Sequence, residues 1–354
     1  MTFDLQSLVR KNIRKLKPYS SARSEFAGAA EVFLDANENA FGSPAGDGFN
    51  RYPDPQQLEI KRRVASMKGI EATQIFVGNG SDEAIDLLFR IFCEPGRDEA
   101  IICPPTYGMY RVSADINDVA VREIKLTSEF QLNVSAILSG ISERTKLIFI
   151  CSPNNPTGNL MQRGSIIEIA KEFNGIVVVD EAYIDFASAP SLIEELASLL
   201  NLVVLQTFSK AWGMAGLRVG LAFASPEIID LMNRVKPPYN VSGIAQRAVV
   251  EAFDAQANVE RWIESALRQR TVLAESLSQF DFVETIYPSD ANFILVKVTD
   301  ANEVYRFLLE EKVVVRNRSN VELCEGCLRI TVGTEAENAR LVESLRKCQE
   351  IGNN

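Results

Sequence analysis

The segment around Lys210 carries the residues whose types and spacing most clearly suggest chemistry. Lys210 follows the apolar run Leu202–Leu205 and directly succeeds Ser209, and Arg218 comes eight residues later. A lysine in this position can form a Schiff base with an aldehyde cofactor. The serine and the arginine can hold a phosphate group beside it. Taken alone, the same lysine could instead be a solvated residue in a loop before a helix.

The run Val77–Glu83 reads VGNGSDE and lies between a predicted strand and a predicted helix. Backbone amides at a helix start bind phosphate well, which makes Gly80, Ser81 and Asp82 candidate phosphate-binding residues. The run partly matches the dinucleotide pattern G-x-G-x-x-G, but Glu83 replaces the third glycine and its charge would face a pyrophosphate poorly. An NAD-dependent oxidoreductase is therefore a remote alternative. A simple capping turn, with Ser81 or Asp82 as N-cap, also remains open.

Two other side chains follow predicted strands. Tyr107 lies in the run Cys103–Tyr110, where an aromatic ring could stack on a flat cofactor or simply pack. Asp180 follows the apolar run Val177–Val179, and a buried aspartate needs a cationic or hydrogen-bonding partner. A protonated pyridine nitrogen is such a partner. A helix N-cap is the structural alternative for Asp180.

Short runs rich in Ile and Val recur along the chain, with helical patterns between them. Strands are predicted at 75–77, 99–103, 147–151, 176–179, 202–206 and 219–223. This alternation predicts an α/β fold whose mainly parallel central sheet is covered by helices on both faces. Ligands bind at the carboxyl ends of strands in such sheets, and nearly every motif above lies at such an end.

The chain is expected to have three parts. Residues 1–43 form an N-terminal arm that contributes to the small domain and to dimer contacts, with a basic amphipathic helix at 5–17. Residues 44–270 form the large domain. Residues 271–354 form a small α/β domain with strands at 293–298, 312–316 and 327–332 and helices at 301–311 and 335–348. A long helical stretch at about 243–279 is expected to lead out of the large domain.

Composition excludes several classes of function. The 354 residues carry a net charge of −10, which argues against nucleic acid as the main partner. No apolar stretch approaches the roughly 20 residues of a membrane helix, and no signal peptide is evident, so a cytoplasmic protein without a membrane partner is expected.

Histidine is absent, which removes histidine-based catalytic triads and histidine ligation of zinc or haem. The six cysteines are scattered and are expected to be reduced. Cys324 and Cys327 form a lone C-x-x-C pair without a second pair, so no metal is expected.

Five motifs in the same order resemble those of fold-type I pyridoxal-phosphate (PLP) enzymes. They are Val77–Glu83, Cys103–Tyr110, Ser152–Gly158 (SPNNPTG), Val177–Tyr183 and Thr207–Gly220. The resemblance implies catalytic roles for Lys210, Asp180 and Tyr107, with Lys210 as Schiff-base lysine and proton carrier, Asp180 at the pyridine nitrogen and Tyr107 over the ring. It implies that Asn154 and Tyr183 contact the phenolic oxygen. The phosphate contacts implied are Gly80, Ser81, Asp82, Ser209, Arg218 and, from the neighbouring subunit of a homodimer, Tyr52.

Other segments resemble the histidinol-phosphate aminotransferase family in particular. They are Pro18-Tyr19, DANEN at 35–39, RYPDP at 51–55, CPPTYGMY at 103–110 and GCLRITVG at 326–333. The one departure noted is Ala40, where many relatives have proline. This resemblance implies ping-pong transfer of an amino group from L-histidinol phosphate to 2-oxoglutarate in histidine biosynthesis. It implies a substrate site formed by Tyr19, Asn37, Tyr239, Arg316 and Arg329. The alternatives within PLP enzymes are an aromatic amino acid aminotransferase and a threonine-phosphate decarboxylase.

Overall fold

A large sheet organises the protein. The computed structural model describes residues 3–19 and 31–352, and within them seven strands pair in the order β1-β7-β6-β5-β4-β2-β3. The strands are β1 (Ile75–Asn79), β2 (Glu99–Ile102), β3 (Ala120–Glu123), β4 (Thr145–Cys151), β5 (Ile176–Asp180), β6 (Leu202–Thr207) and β7 (Val219–Phe223). The strands from β6 to β3 pair in parallel, whereas β7 runs antiparallel to β1 and β6. The predicted mainly parallel sheet is confirmed.

The inner strands form because their Ile and Val side chains are buried on both faces of the sheet. Every residue of β5 and β6 is buried, as is usual for parallel strands covered by helices. The edge strand β3 was not predicted, because its residues AVRE are mostly exposed and lack an apolar run. Helices around this sheet are Leu58–Lys68, Ser81–Phe92, Met109–Ile116, Val134–Gly140, Arg163–Glu172, Pro226–Val235 and Gly243–Ala252.

A second, antiparallel sheet lies in the C-terminal part, in the order β10-β11-β9-β8. Its strands are β8 (Val283–Ile286), β9 (Phe293–Val298), β10 (Arg316–Asn317) and β11 (Cys327–Thr331). Helices Ala301–Glu310 and Glu335–Gly352 accompany it. The predicted strand at 312–316 is wrong in extent. Lys312 has a left-handed backbone (φ 62°), and the chain pairs with β11 only from Arg316 onward.

A 22-residue helix, Gln256–Leu277, connects the two sheets. The predicted helical stretch at 243–279 is divided in two, since the short turn Phe253–Ala255 separates this helix from the one before it. Leu273 and Leu277, near its end, pack in the core of the small sheet. The boundary we expected at residue 270 therefore falls inside a continuous helix, and the three-part division remains a proposal.

The N-terminal segment forms two short helices, Leu5–Leu8 and Lys11–Arg14, so the single helix expected over 5–17 is wrong. Val9 and Arg10 between them adopt extended conformations, and the Arg10 amide donates to the Ile91 carbonyl at 3.0 Å. Buried Val9 attaches the segment to the core of the large sheet. Among the described residues, no helix is long and apolar enough to cross a bilayer.

Candidate active site

One cavity of about 590 Å³ lies where the carboxyl ends of the parallel strands meet the small sheet. Most of the predicted site residues line it: Ser81, Asp82, Tyr107, Asp180, Tyr183, Ser209, Lys210, Arg218, Arg316 and Arg329. Those from the large sheet converge because the loops that carry them lie at the same edge of that sheet, and Arg316 and Arg329 reach the cavity from the small sheet. The sheet thus brings a lysine, two carboxylates and several arginines around one space.

Asp180 is the last residue of β5 and is almost fully buried. Its carboxylate accepts hydrogen bonds from the Tyr110 hydroxyl at 2.8 Å and from the Ala182 amide at 3.1 Å. Burial raises the pKa of Asp180, and these two hydrogen bonds oppose the rise. Both donors are neutral, so this carboxylate still favours a cationic group in the cavity. Sequence reasoning gave Tyr110 no role, although it ends the run Cys103–Tyr110.

Lys210 lies in the loop after β6, and its ammonium nitrogen is 5.4 Å from the centre of the Tyr183 ring. Although Lys210 is exposed to solvent in the open cavity, desolvation by the surrounding protein lowers its pKa, and the positive charge of Arg329 lowers it further. A lysine with a lowered pKa is more often the neutral amine, which is the form that attacks an aldehyde. The lowered pKa therefore increases the fraction of Lys210 in the neutral form that a nucleophile or a base requires.

The start of helix Ser81–Phe92 faces Arg218. Gly80, before the helix, has φ 76°, and a side chain there would collide with the Arg218 guanidinium. Gly220 in β7 passes so close that an added Cβ would lie 2.2 Å from the Ser81 nitrogen. Glycine is needed at both positions for the strand, the turn and the arginine to come together. One pocket here is suited to a phosphate group, and we call it the cradle. It is formed by the free amides at the helix start together with Ser209 and Arg218.

Tyr107 is tied to this cradle. Its hydroxyl donates to Asp82 at 3.1 Å, and Arg218 contacts the other oxygen of Asp82 at 3.4 Å. Burial, and secondarily the negative charge of Asp82, raises the pKa of Tyr107, which keeps the phenol neutral. Its ring, fixed edge-on to Tyr110 at 5.6 Å, lines the cavity as predicted.

The structure corrects one predicted residue. Asn154 does not line the cavity. Its fully buried amide nitrogen donates to the Pro105 carbonyl at 2.8 Å and to Thr157 at 2.7 Å, which turns it into the core. Its neighbour Asn155 does line the cavity and donates to the Tyr183 hydroxyl at 3.4 Å. We therefore move the proposed contact with a cofactor oxygen from Asn154 to Asn155.

Arginines form the other end of the cavity. Arg316 in β10 pairs directly with Arg329 in β11, so both side chains extend from the same face of the small sheet. Arg329 donates to Asn155 at 2.5 Å and lies over the Phe293 ring. Its buried Nε has no hydrogen-bond partner within the described part of the chain, and burial lowers its pKa. Such an arginine is suited to receive an anion.

Four predicted residues lie outside this cavity. Tyr52 and Tyr239 stack with ring centres 4.5 Å apart, and with Asn37 they line a second cavity of about 730 Å³. Tyr19 is 75% exposed and lines neither cavity. Within one chain, Tyr19, Asn37 and Tyr239 therefore do not line the cavity of the arginines, and their part in the substrate site remains a prediction. Tyr52 was expected to act on a neighbouring subunit, and that role also remains a prediction.

Cys324 and Cys327 are buried free thiols packed in the core. Burial raises the pKa of Cys324 to about 12 and that of Cys327 to about 11, which disfavours thiolate chemistry. Across residues 3–19 and 31–352, no cluster of metal-ligating side chains occurs.

These features fit a phosphorylated aromatic aldehyde. Ser81, Ser209 and Arg218 line the cavity and can hold a phosphate, the buried Asp180 can pair with a protonated ring nitrogen, and Tyr107 lies beside the space for a flat ring. Lys210 opens into the same cavity.

Comparison with known proteins shows the family to which the chain belongs. The family described as aminotransferase class I and II matches residues 24–345. The chain belongs to this family of aminotransferases. Within it, the chain is 53% identical over 346 residues to the histidinol-phosphate aminotransferase of Cytophaga hutchinsonii, an alignment that covers 98% of this chain and 99% of the relative. The histidinol-phosphate aminotransferase of Parabacteroides distasonis is 52% identical, covering 97% of this chain and 98% of that protein.

Solved structures show the same fold. The histidinol-phosphate aminotransferase from Clostridium acetobutylicum superposes with a TM-score of 0.79 at 23% identity, covering 85% of this chain and 91% of that one. At this identity the likeness shows the fold alone, and the predicted fold-type I architecture is confirmed.

Proposed function

We propose that this chain is an L-histidinol-phosphate:2-oxoglutarate aminotransferase of histidine biosynthesis that uses PLP. The single observation that carries the substrate assignment is the end-to-end similarity to curated enzymes of that name. The cavity supports it, because Arg316 and Arg329 suit an anionic substrate group and Lys210 lies in the same space. The cradle at the start of helix Ser81–Phe92 is separate from these arginines and is suited to the cofactor's phosphate.

When bound, PLP supplies an aldehyde that condenses with amines and a ring that withdraws electrons from the substrate carbon. Lys210 holds the cofactor before the substrate arrives. Once released, its amine would accept the proton from the substrate's α-carbon as a base and then donate it, as an acid, to the carbon atom of the cofactor's aldehyde group. The lowered pKa of Lys210 favours the first of these steps.

The other residues of the site position the cofactor and the substrate and stabilise their charges. Asp180 stabilises a positive charge on the ring nitrogen, which strengthens electron withdrawal. Tyr183 and Asn155 hold the phenolic oxygen, and Tyr107 covers the ring. Arg329 pairs with the anionic group of the substrate in each half-reaction: phosphate on histidinol phosphate and carboxylate on glutamate.

We propose that the active unit is a homodimer in which Tyr52 contributes to the neighbour's cofactor phosphate site. Two observations support this: the exposed Tyr52–Tyr239 stack lies away from the chain's own Lys210, and it lines a large surface cavity. Asn37 shares that cavity, so it would approach the neighbour's site with them. The free cysteines agree with a reducing cytoplasmic location, which we propose on family resemblance.

A panel of amino donors tests the substrate assignment. Purified holoenzyme is mixed with L-histidinol phosphate, phenylalanine or threonine phosphate, with 2-oxoglutarate as acceptor. We expect the highest kcat/KM for histidinol phosphate and glutamate as the second product. A higher value for phenylalanine would favour an aromatic aminotransferase, and release of CO₂ from threonine phosphate would favour a decarboxylase. Either result would overturn the proposal.

A further inference from the structure

Three arginines, not two, line the substrate end of the cavity. Arg318 lies two residues after Arg316, just beyond the end of β10, and its side chain lines the same cavity as Arg316 and Arg329. Asn317 between them extends to the other face, where its amide donates to Asn302 at 2.8 Å. Arg316 pairs with Arg329 across the sheet, so Arg318 adds a third guanidinium to one side of it.

Backbone hydrogen bonds fix the position of Arg318. Its amide donates to the Cys327 carbonyl at 2.8 Å, and its carbonyl accepts from the Val321 amide at 2.8 Å. The turn after β10 is thereby held against β11. The side chain of Arg318 is half-buried, and its pKa is lowered by burial and then by the positive charge of Arg316.

The three arginines lack fixed counter-ions. Over residues 3–19 and 31–352, none of them forms an ion pair with a carboxylate. The two carboxylates that line the cavity, Asp82 and Asp180, are engaged elsewhere, by Arg218 and by Tyr110. The whole chain is acidic, with a net charge of −10, yet this end of the cavity concentrates positive charge.

Mutual repulsion among three unpaired guanidinium groups is relieved most by a ligand with more than one negative charge. A phosphate monoester carries a charge of about −1.5 to −2 at pH 7 with a second pKa near 6, whereas a side-chain carboxylate carries only one charge. Phosphate also has three oxygens for the forked donors of arginine.

We propose that Arg318 is a specificity-determining residue that favours dianionic phosphate over carboxylate at the substrate end of the cavity. This inference rests on the proposed function and deepens it. Arg329 serves both substrates, whereas Arg318 distinguishes between them.

Arg318→Gln tests the proposal, with Arg318→Lys as the variant that keeps the charge. Arg306→Gln is the matched control, because Arg306 is exposed on helix Ala301–Glu310 and does not line the cavity. For each holoenzyme we would measure kcat and KM for histidinol phosphate and for glutamate. We would also measure inhibition by inorganic phosphate, the binding of inorganic phosphate by calorimetry, and thermal unfolding.

In Arg318→Gln we expect KM for histidinol phosphate to rise about tenfold or more, since a lost hydrogen bond to a charged group has roughly this effect. KM for glutamate should change by less than about threefold, the limit expected for loss of a partly screened charge. The dissociation constant of inorganic phosphate should rise in parallel with KM for histidinol phosphate. Arg318→Lys should recover part of the loss, and Arg306→Gln should resemble the wild type.

The pH dependence of KM for histidinol phosphate is a further test, because a purely structural role of Arg318 would leave it unchanged. In the wild type, KM for histidinol phosphate should fall between pH 5.5 and 7.5 as the substrate phosphate loses its second proton near pH 6. The substrate's imidazole, with an ordinary pKa of about 6.5, titrates in the same range in both proteins. The phosphate contribution is therefore the difference between them: the fall in KM should be smaller in Arg318→Gln than in the wild type.

Equal losses for both substrates, or no loss for either, would overturn the assignment of Arg318. The proposed function fails separately. If the wild type rejects histidinol phosphate but Arg318→Gln still weakens binding of inorganic phosphate, the phosphate role stands and the substrate assignment falls.

Discussion

The Tyr110 hydroxyl donates a 2.8 Å hydrogen bond to Oδ2 of Asp180 in the core beneath the cavity. Tyr110 is fully buried and stacks on Phe149 at 4.9 Å, so its ring has little freedom to move. Burial raises the pKa of Asp180, and this donor counteracts the rise. Tyr110 thus helps to keep Asp180 ionised, as the proposed contact between Asp180 and the ring nitrogen of the cofactor requires.

Tyr110→Phe should keep the fold and weaken catalysis. Hydrogen bonds to charged groups contribute about 1.5–3 kcal/mol, so we expect kcat to fall about tenfold or more. Without the donor the pKa of Asp180 rises, and because the ionised form is the active one, the acidic limb of the kcat profile should move to higher pH. Tyr305→Phe, in the small domain, is the control. An unchanged pH profile in Tyr110→Phe would assign the tyrosine to packing alone.

Replacing Asn155 by alanine should impair catalysis, whereas replacing Asn154 by alanine should destabilise the fold. Asn155 contacts Tyr183 and Arg329 at the cavity, so its loss should lower kcat/KM by about tenfold and shift cofactor absorbance with little change in stability. Asn154 holds two buried hydrogen bonds, so its loss should destabilise the fold by about 1–3 kcal/mol. Spectra and thermal unfolding of both variants check this. The reverse pattern would restore Asn154 as the cofactor contact.

The inner strands could be predicted from the sequence, but the edge strands, which depend on packing, could not. β4, β5 and β6 are apolar runs, because both of their faces are buried. β3 and β10 lie at sheet edges with exposed polar residues, so their sequences carry little periodic signal.

Within the candidate site, too, some residues could be predicted from the sequence and others could not. Lys210, Asp180 and Arg218 lie in recognisable motifs, and the structure brings them to one cavity. Adjacent Asn154 and Asn155 share a turn pattern, and contacts with distant residues, such as the hydrogen bond from Asn154 to the Pro105 carbonyl, distinguish the one that faces the core. The role of Tyr110 depends on a contact across 70 residues of chain, which spacing alone could not show.

Mixing two inactive variants tests whether sites are shared between subunits. Tyr52→Phe should loosen cofactor binding across the interface, and Lys210→Ala should abolish turnover within its own site. In a mixed dimer one site has both defects and the other has neither. We expect activity to recover toward about a quarter of wild type on mixing, since about half of the dimers would be mixed and each of these would have one intact site of two. Demonstrated subunit exchange without recovery would count against a shared site.

Arg329→Ala should impair both half-reactions. Truncating one partner of a desolvated, hydrogen-bonded charge pair costs about 2–5 kcal/mol, so KM for glutamate and for histidinol phosphate should each rise at least about tenfold. Steady-state kinetics with each substrate varied in turn provide the measurement. A selective loss for only one substrate would show that the two anions use different arginines.

Borohydride reduction of the holoenzyme followed by peptide mapping tests the central assignment most directly. Reduction converts a Schiff base into a stable amine, so the cofactor becomes fixed to the lysine that holds it. We expect the label on Lys210 alone, with Lys210→Ala unlabelled and without turnover even if it still binds PLP. A label on any other lysine, or normal turnover in Lys210→Ala, would contradict it.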